Sequence, residues 1–92
     1  MPQVKVITFA RLRQIIGKKQ FTMNAESIED LLKKLFKEHG KELKKELFDG
    51  NGQLKHIYRI VVNGRSITLL DGFKTKLKDN DMVALMPAIA GG

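Results

Sequence analysis

The sequence predicts an α+β domain in which one main helix packs on one face of a mixed sheet of four to five strands. Three observations carry the prediction. Runs rich in β-branched and apolar residues lie near both ends, Val4 to Phe9 and Met82 to Met86. A single strongly amphipathic stretch lies between them, from Ser27 to His39. A further strand-like run, Ile57 to Val62, enters Asn63-Gly64, the dipeptide best suited to a tight hairpin.

Each element has its own local reason. Val4-Lys5-Val6-Ile7-Thr8-Phe9 reads as the first strand. Ala10 to Gly17 is a connection with room for a brief coil, and Lys18 to Met23 alternates polar and apolar as a half-buried second strand does, so the two strands suggest a hairpin. In the helix, Ile28, Leu31, Leu32, Leu35 and Phe36 recur at helical spacing on one side, and Glu29, Asp30, Lys33, Lys34, Lys37 and Glu38 occupy the other. Ser27 suits the N-cap, Asp30 stands at the capping-box position, and Gly40 suits a left-handed stop. Leu43 and Leu47, one turn apart, allow a second short helix or an extension of the first, closed by Asp49-Gly50-Asn51-Gly52. After Asn63-Gly64, Arg65 to Leu69 forms the returning strand. An irregular segment anchored by Phe73 and Leu77 then leads through Lys78-Asp79-Asn80-Asp81 into the last strand.

Composition narrows the function. A chain of 92 residues makes one domain, long enough to bury about 60 to 65% of its unfolded surface. With no cysteine there is no disulfide framework, thiolate nucleophile or cysteine-based zinc site. No apolar run approaches a membrane span, and Met1-Pro2-Gln3 shows no secretory signal pattern, so a cytoplasmic protein without a membrane partner is expected. The net charge of +7 is concentrated where lysines alternate with glutamates between Lys33 and Glu46, the pattern of a solvated helix face; one Tyr and no Trp leave little for base stacking, which argues against a nucleic-acid partner. His39 and His56 lack metal-ligand spacing, Ser27 and Ser66 lack a base, and Asp79 with Asp81 reads as a turn. No metal site and no autonomous active site emerge.

Two features remain. By period-two alternation, Val4, Val6, Thr8, Val83 and Leu85 meet the helix, which leaves Ile7, Phe9, Val61 and Met86 on the uncovered face as an apolar patch that fits a protein partner. Next to it, Pro87 interrupts the last strand and residues 87–92 form an extended, flexible tail, Pro87-Ala88-Ile89-Ala90-Gly91-Gly92. Two glycines without Cβ atoms can thread a narrow slot. A carboxylate at their tip can attack the α-phosphate of ATP, and a thiol or an amine can then displace the adenylate.

The run VITFARLRQIIG, the capped helix, IVVNG, LKDNDMVALMP and the terminal AGG, in this order and spacing, resemble the ubiquitin-like sulfur carriers of the MoaD/ThiS family across essentially the whole chain. The resemblance implies a β-grasp (ubiquitin-like) fold whose first and last strands are parallel neighbours at the sheet centre. It implies that Gly92 is adenylated by an E1-like activating enzyme using ATP and magnesium, then converted to a thiocarboxylate, with no cofactor bound by the chain itself. It implies that Gly91, Ala90, Ile89 and Pro87 thread the partner's channel, while Phe9, Ile7, Val61 and Met86 contact partners. In the molybdopterin branch the acceptor is the large subunit of molybdopterin synthase, to which the carrier is the small, sulfur-donating subunit and not an enzyme alone. Where many molybdopterin-type carriers have two prolines before the tail, this chain has Pro87-Ala88. PAIAGG, the stretch from Lys41 to Leu54 and the LLDG segment also resemble carriers that supply sulfur for cysteine synthesis. Sulfur delivery for cysteine, thiamine or tRNA thiolation, and protein modification through isopeptide bonds, are the alternatives within the same tail chemistry. A basic RNA-binding β-grasp module with an inert tail is the alternative outside it.

Overall fold

The computed structural model describes residues 2–88. In chain order the elements are β1 (Gln3–Thr8), α1 (Ala10–Ile16), β2 (Gln20–Asn24), α2 (Ile28–Leu47), β3 (Tyr58–Val62), β4 (Arg65–Ser66), two 3-10 turns (Ile67–Leu69 and Gly72–Lys74) and β5 (Met82–Pro87). The five strands form one sheet in the order β2-β1-β5-β3-β4. β1 and β5 are parallel, with Val6 beside Val83 and Thr8 beside Leu85. β5 runs antiparallel to β3, with Ile60 beside Leu85 and Val62 beside Val83. A parallel central pair flanked by antiparallel partners, with a helix laid across one face, is the β-grasp arrangement.

The core lies between that face and the helices. Val4 and Val6 of β1, Tyr58, Ile60 and Val62 of β3, and Val83 and Leu85 of β5 meet Ile28, Leu31, Leu32 and Leu35 of α2, all buried. Complete burial of a branched aliphatic side chain is worth about 1.5–3 kcal/mol, so these positions hold the sheet in register. The start of α2 is fixed as its sequence demands. Asp30 N–H donates to Ser27 Oγ at 3.1 Å, and the Asp30 carboxylate accepts from the Glu26 N–H at 3.0 Å. That second bond holds the Asp30 carboxyl below its ordinary value.

Several expectations are corrected. Ala10 to Gly17 is a full helix, α1, which buries Leu12 and Ile16 and ends on Gly17 at φ 84°. β1 and β2 pair antiparallel as expected, with this helix as their connection, and α2 has a helical companion. The second strand runs Gln20–Asn24 instead of Lys18 to Met23. Gly40 breaks α2 as expected, but the chain resumes a helix at once: Gly40 sits at φ 74°, ψ −157°, and the following turns bury Leu43 and Leu47. That backbone region is essentially restricted to glycine. The returning strand is only Arg65–Ser66, because Ile67 turns inward to the core and the chain tightens into a 3-10 turn. The hairpin between β3 and β4 has Asn63 at φ 51° and Gly64 at φ 87°, the paired positive angles its dipeptide predicts.

Pro87 does not interrupt the last strand. It belongs to β5 and lies opposite Tyr58, and the Ala88 N–H donates to the Ile57 carbonyl at 2.7 Å. In β5 the even-numbered residues turn their backbone groups to β3, and the odd-numbered ones face β1, as the Lys5 N–H to Asp81 carbonyl bond shows at 2.9 Å. Position 87 therefore points its missing N–H past the end of β1, which stops at Thr8, and proline costs the ladder nothing there.

Candidate functional site

The sheet face away from the helices is uncovered, and the register assembles it. Across three adjacent strands Ile7, Ala84 and Val61 lie side by side. In the next row Met86 lies beside Arg59. The extended backbone of Phe9 (φ −135°, ψ 156°) continues the alternation of β1, so its ring shares this face at the level of Met86. All four patch residues expected from the sequence, Ile7, Phe9, Val61 and Met86, are thus gathered on one surface, each half-buried. Ala84 and Met82, which alternation also puts outside, share the face, Met82 at 42% exposure, and Ile57 joins them at 58%. Ile57 has the same strand parity as Arg59 and Val61; it opens the strand-like run read from the sequence and in the structure stands just before β3.

One side chain fixes the top of the patch. Ala10 takes a positive φ of 50°, which turns the chain from β1 into α1 while leaving Phe9 on the open face. Arg13, one turn along α1, reaches back. Its Nε and Nη2 donate to the Thr8 carbonyl at 3.2 and 3.0 Å, and its guanidinium lies 5.8 Å from the Phe9 ring centroid. A cation at that distance over an aromatic face is favourable, and the two bonds hold it there. Lys5 and Arg59 also belong to this face, and none of the strand residues that alternate onto it is acidic. The surface therefore offers apolar area beside positive charge, complementary to an apolar partner surface with acidic edges.

The root of the tail adjoins the patch. Pro87 and Ala88 are seated against β3 through the pairing described above, while Ile89, Ala90, Gly91 and Gly92, the remaining tail residues singled out in the sequence, lie outside the described residues. Behind Pro87, on the core side, its cross-strand neighbour Tyr58 donates its hydroxyl to Glu46 Oε2, and Glu46 Oε1 lies 3.6 Å from Arg11 Nε. Burial, reinforced by the hydrogen bond to the glutamate, pushes the Tyr58 phenol up to about 12. The three groups clamp α1, the second half of α2 and β3 together where the tail departs. Sequence reasoning missed this clamp, because its members lie far apart in the chain and each alone reads as a surface or core residue.

Asp79 and Asp81 serve the turn before β5. Asp79 Oδ1 accepts from the Gln3 N–H at 2.8 Å, while Asp81 accepts from the Lys78 N–H and from Asn63 Nδ2, both at 2.8 Å. Among the described residues no three His, Asp or Glu side chains come together as a metal-binding group, and no helix is long and apolar enough to cross a membrane.

A β-grasp domain with an open apolar face beside a Gly-Gly tail belongs to the class of ubiquitin-like carriers and modifiers. Within that class the profile of the ThiS family matches residues 6–92, and the chain belongs to this family. It is 31% identical to small archaeal modifier protein 3 of Haloferax volcanii over 87 residues, covering 91% of this chain and 92% of that protein. It is likewise 31% identical, over 84 residues, to a protein of Archaeoglobus fulgidus whose name proposes a sulfur carrier, covering 89% and 94% of the two chains. The solution structure of small archaeal modifier protein 1 from Methanosarcina acetivorans superimposes with a TM-score of 0.80 at 33% identity, covering 100% of this chain and 98% of that one.

Proposed function

We propose that this protein carries sulfur on Gly92. The carboxylate oxygen of Gly92 attacks the α-phosphorus of ATP in the active site of an E1-like adenylating enzyme, which holds the magnesium, and pyrophosphate leaves. A sulfide-equivalent nucleophile then attacks the acyl carbon, AMP departs, and the carboxylate becomes a thiocarboxylate. Glycine at positions 91 and 92 lets this end enter a narrow channel. The observation that carries the reading is the assembly of Ile7, Phe9, Val61 and Met86 beside the seated root of the tail, which gives a partner a docking surface from which the tail can be drawn into its active site. In this reading the domain supplies the handle and the partner supplies the catalysis.

The acceptor we favour is the large subunit of a molybdopterin synthase, with this chain as the small subunit, a reading supported by its likeness to a Pyrococcus furiosus structure named for molybdopterin converting factor subunit 1 (28% identity, TM-score 0.74). Sulfur delivery for cysteine, thiamine or tRNA thiolation uses the same loaded tail. A second reading is supported by the relatives named as modifiers: the activated carboxylate is transferred to a lysine amine, forming an isopeptide bond. Both take place in the cytoplasm, where ATP and the activating enzyme are found.

The test is mass spectrometry of the protein after incubation with its activating enzyme, ATP, magnesium and a sulfur source. The expected product has one oxygen replaced by sulfur at Gly92, and a chain with one residue appended after Gly92 stays unloaded although folded. Loading that survives the extension overturns the reading. Conjugates in cell lysate that vanish when Gly92 is deleted favour the modifier reading over sulfur donation alone.

A further inference from the structure

β2 is the edge strand on the side of the sheet away from β4, and among the described residues no strand lies beyond it. Its ladder to β1 shows which backbone groups are committed. The Thr8 N–H donates to the Lys19 carbonyl and the Ala25 N–H to the Pro2 carbonyl, both at 3.0 Å. The odd-numbered residues therefore face β1, and Gln20, Thr22 and Asn24 direct their N–H and C=O groups outward, where the Asn24 carbonyl accepts from Lys34 Nζ at 2.9 Å and keeps its second lone pair for a strand partner. An edge of this kind is a template for another strand.

We propose that a second copy of this chain occupies it: two molecules pair β2 against β2, antiparallel, about a two-fold axis at Thr22, joining their sheets into one. Three features of the strand are complementary to themselves in this register. The outward backbone groups match, since Thr22 stands opposite Thr22 and Gln20 opposite Asn24 of the second copy, an even-to-even pairing in which every group aimed outward meets one aimed back. Between them Phe21 stands opposite Met23 of the other chain, twice by symmetry. Both residues are half-buried and line, with Ile16, Lys18, Glu38 and His39, a cleft of about 130 Å³ between β2 and α2, and the pairing adds two sulfur–aromatic contacts beside it. At the strand ends Lys18 of each copy stands opposite Glu26 of the other, both exposed. Moving the axis by one residue either way separates Lys18 from Glu26.

Each copy carries +7, so long-range repulsion opposes association, and physiological salt, with a Debye length of about 8 Å, relieves it. The arrangement consumes only the β2 edge. The pairing leaves the apolar patch on β1, β5 and β3 uncovered, so each copy in a dimer can still dock a partner.

The test exploits a chain without cysteine. In this register Thr22 faces its own symmetry mate at a Cα separation of about 5.5 Å, within disulfide range. Thr22→Cys is expected to cross-link into a covalent dimer under mild oxidation at least ten-fold faster than Thr68→Cys, an exposed control. Gln20→Cys should cross-link only when mixed with Asn24→Cys. Circular dichroism of the reduced variants confirms that they fold. Sedimentation of the wild-type chain should show a concentration-dependent dimer that Lys18→Glu weakens and Lys18→Glu combined with Glu26→Lys restores. Equal cross-linking rates at positions 22 and 68, or a monomeric mass at every concentration, would overturn the proposal.

Discussion

β1, β3 and β5 present Val4, Val6, Ile60, Val62, Val83 and Leu85 to the helices, each at most 6% exposed. The same three strands present Ile7, Arg59, Val61, Met82, Ala84 and Met86 to the other side, half-buried or exposed. Neighbouring residues one peptide bond apart thus have different duties. One set excludes water within the molecule, and the other, apolar except for Arg59, faces outward. The pleat allows the two surfaces to be changed independently, so the domain can alter what it docks to without loosening what holds it together.

The largest effect should separate adjacent residues of β5. Leu85→Ala removes a fully buried side chain and is expected to cost about 2–5 kcal/mol in chemical denaturation. Met86→Ala should cost less than about 1 kcal/mol, because its side chain is already half in water, while Met86→Asp or Phe9→Asp should weaken the complex with the activating enzyme at least ten-fold in titration calorimetry. Equal stability losses at positions 85 and 86 would erase the division between the faces. Unchanged affinity for both Asp variants would remove the docking role.

A smaller effect is expected on the helix side at Gly40. No atom lies within 4 Å of the place a Cβ would take, so Gly40→Ala creates no clash. Its cost is backbone strain alone, about 1–3 kcal/mol, read from the unfolding midpoint. Docking should be untouched, since the substitution lies across the molecule from the patch.

Tyr58→Phe should cost about 1 kcal/mol by losing the bond to Glu46. The phenol's folded value, about 12, lies above its ordinary 10.0. Its contribution is therefore fully present below pH 10 and is lost as pH rises through 12, and the Phe variant should lack that alkaline limb in a stability profile. The smallest effect lies at the acid end. Asp30 is lowered chiefly by the Glu26 N–H, and Asp49 by the Gln53 and Asn51 N–H groups. Both contribute above the ordinary carboxylate value of 3.8, and the contribution disappears as pH falls through their lowered folded values. Asp30→Asn should flatten this acid limb without changing alkaline behaviour or docking.

Period-two and helical spacing were sufficient to place the strands, the main helix and both faces of the central sheet, because Val4, Leu31 and Leu85 are buried for local reasons that their neighbours' polarity reveals. Helix α1 was less legible. Its apolar residues Leu12 and Ile16 lie one turn apart and Ala10, Arg11, Leu12, Arg13 and Gln14 favour a helix, but seven residues are too few to offset the cost of nucleation, and packing against α2 decides it. The short β4 was overextended because Ile67 and Leu69 look strand-like, although only the former is buried. In the site, the patch followed from alternation, and Pro87 misled because a proline ends a strand only where its missing N–H was needed. Arg13 over Phe9 and the clamp of Arg11, Glu46 and Tyr58 depend on contacts that alternation does not encode.

The bond from Ala88 to the Ile57 carbonyl has a metric consequence. It fixes the point from which the C-terminal glycine is measured. From Ala88, the four residues to Gly92 span at most about 14 Å whatever path they take. Any enzyme that acts on Gly92 while the domain remains seated must hold its reacting centre within that radius of the patch. In the function proposed above, this cross-strand bond, the last among the described residues, is a depth gauge for the partner's active site.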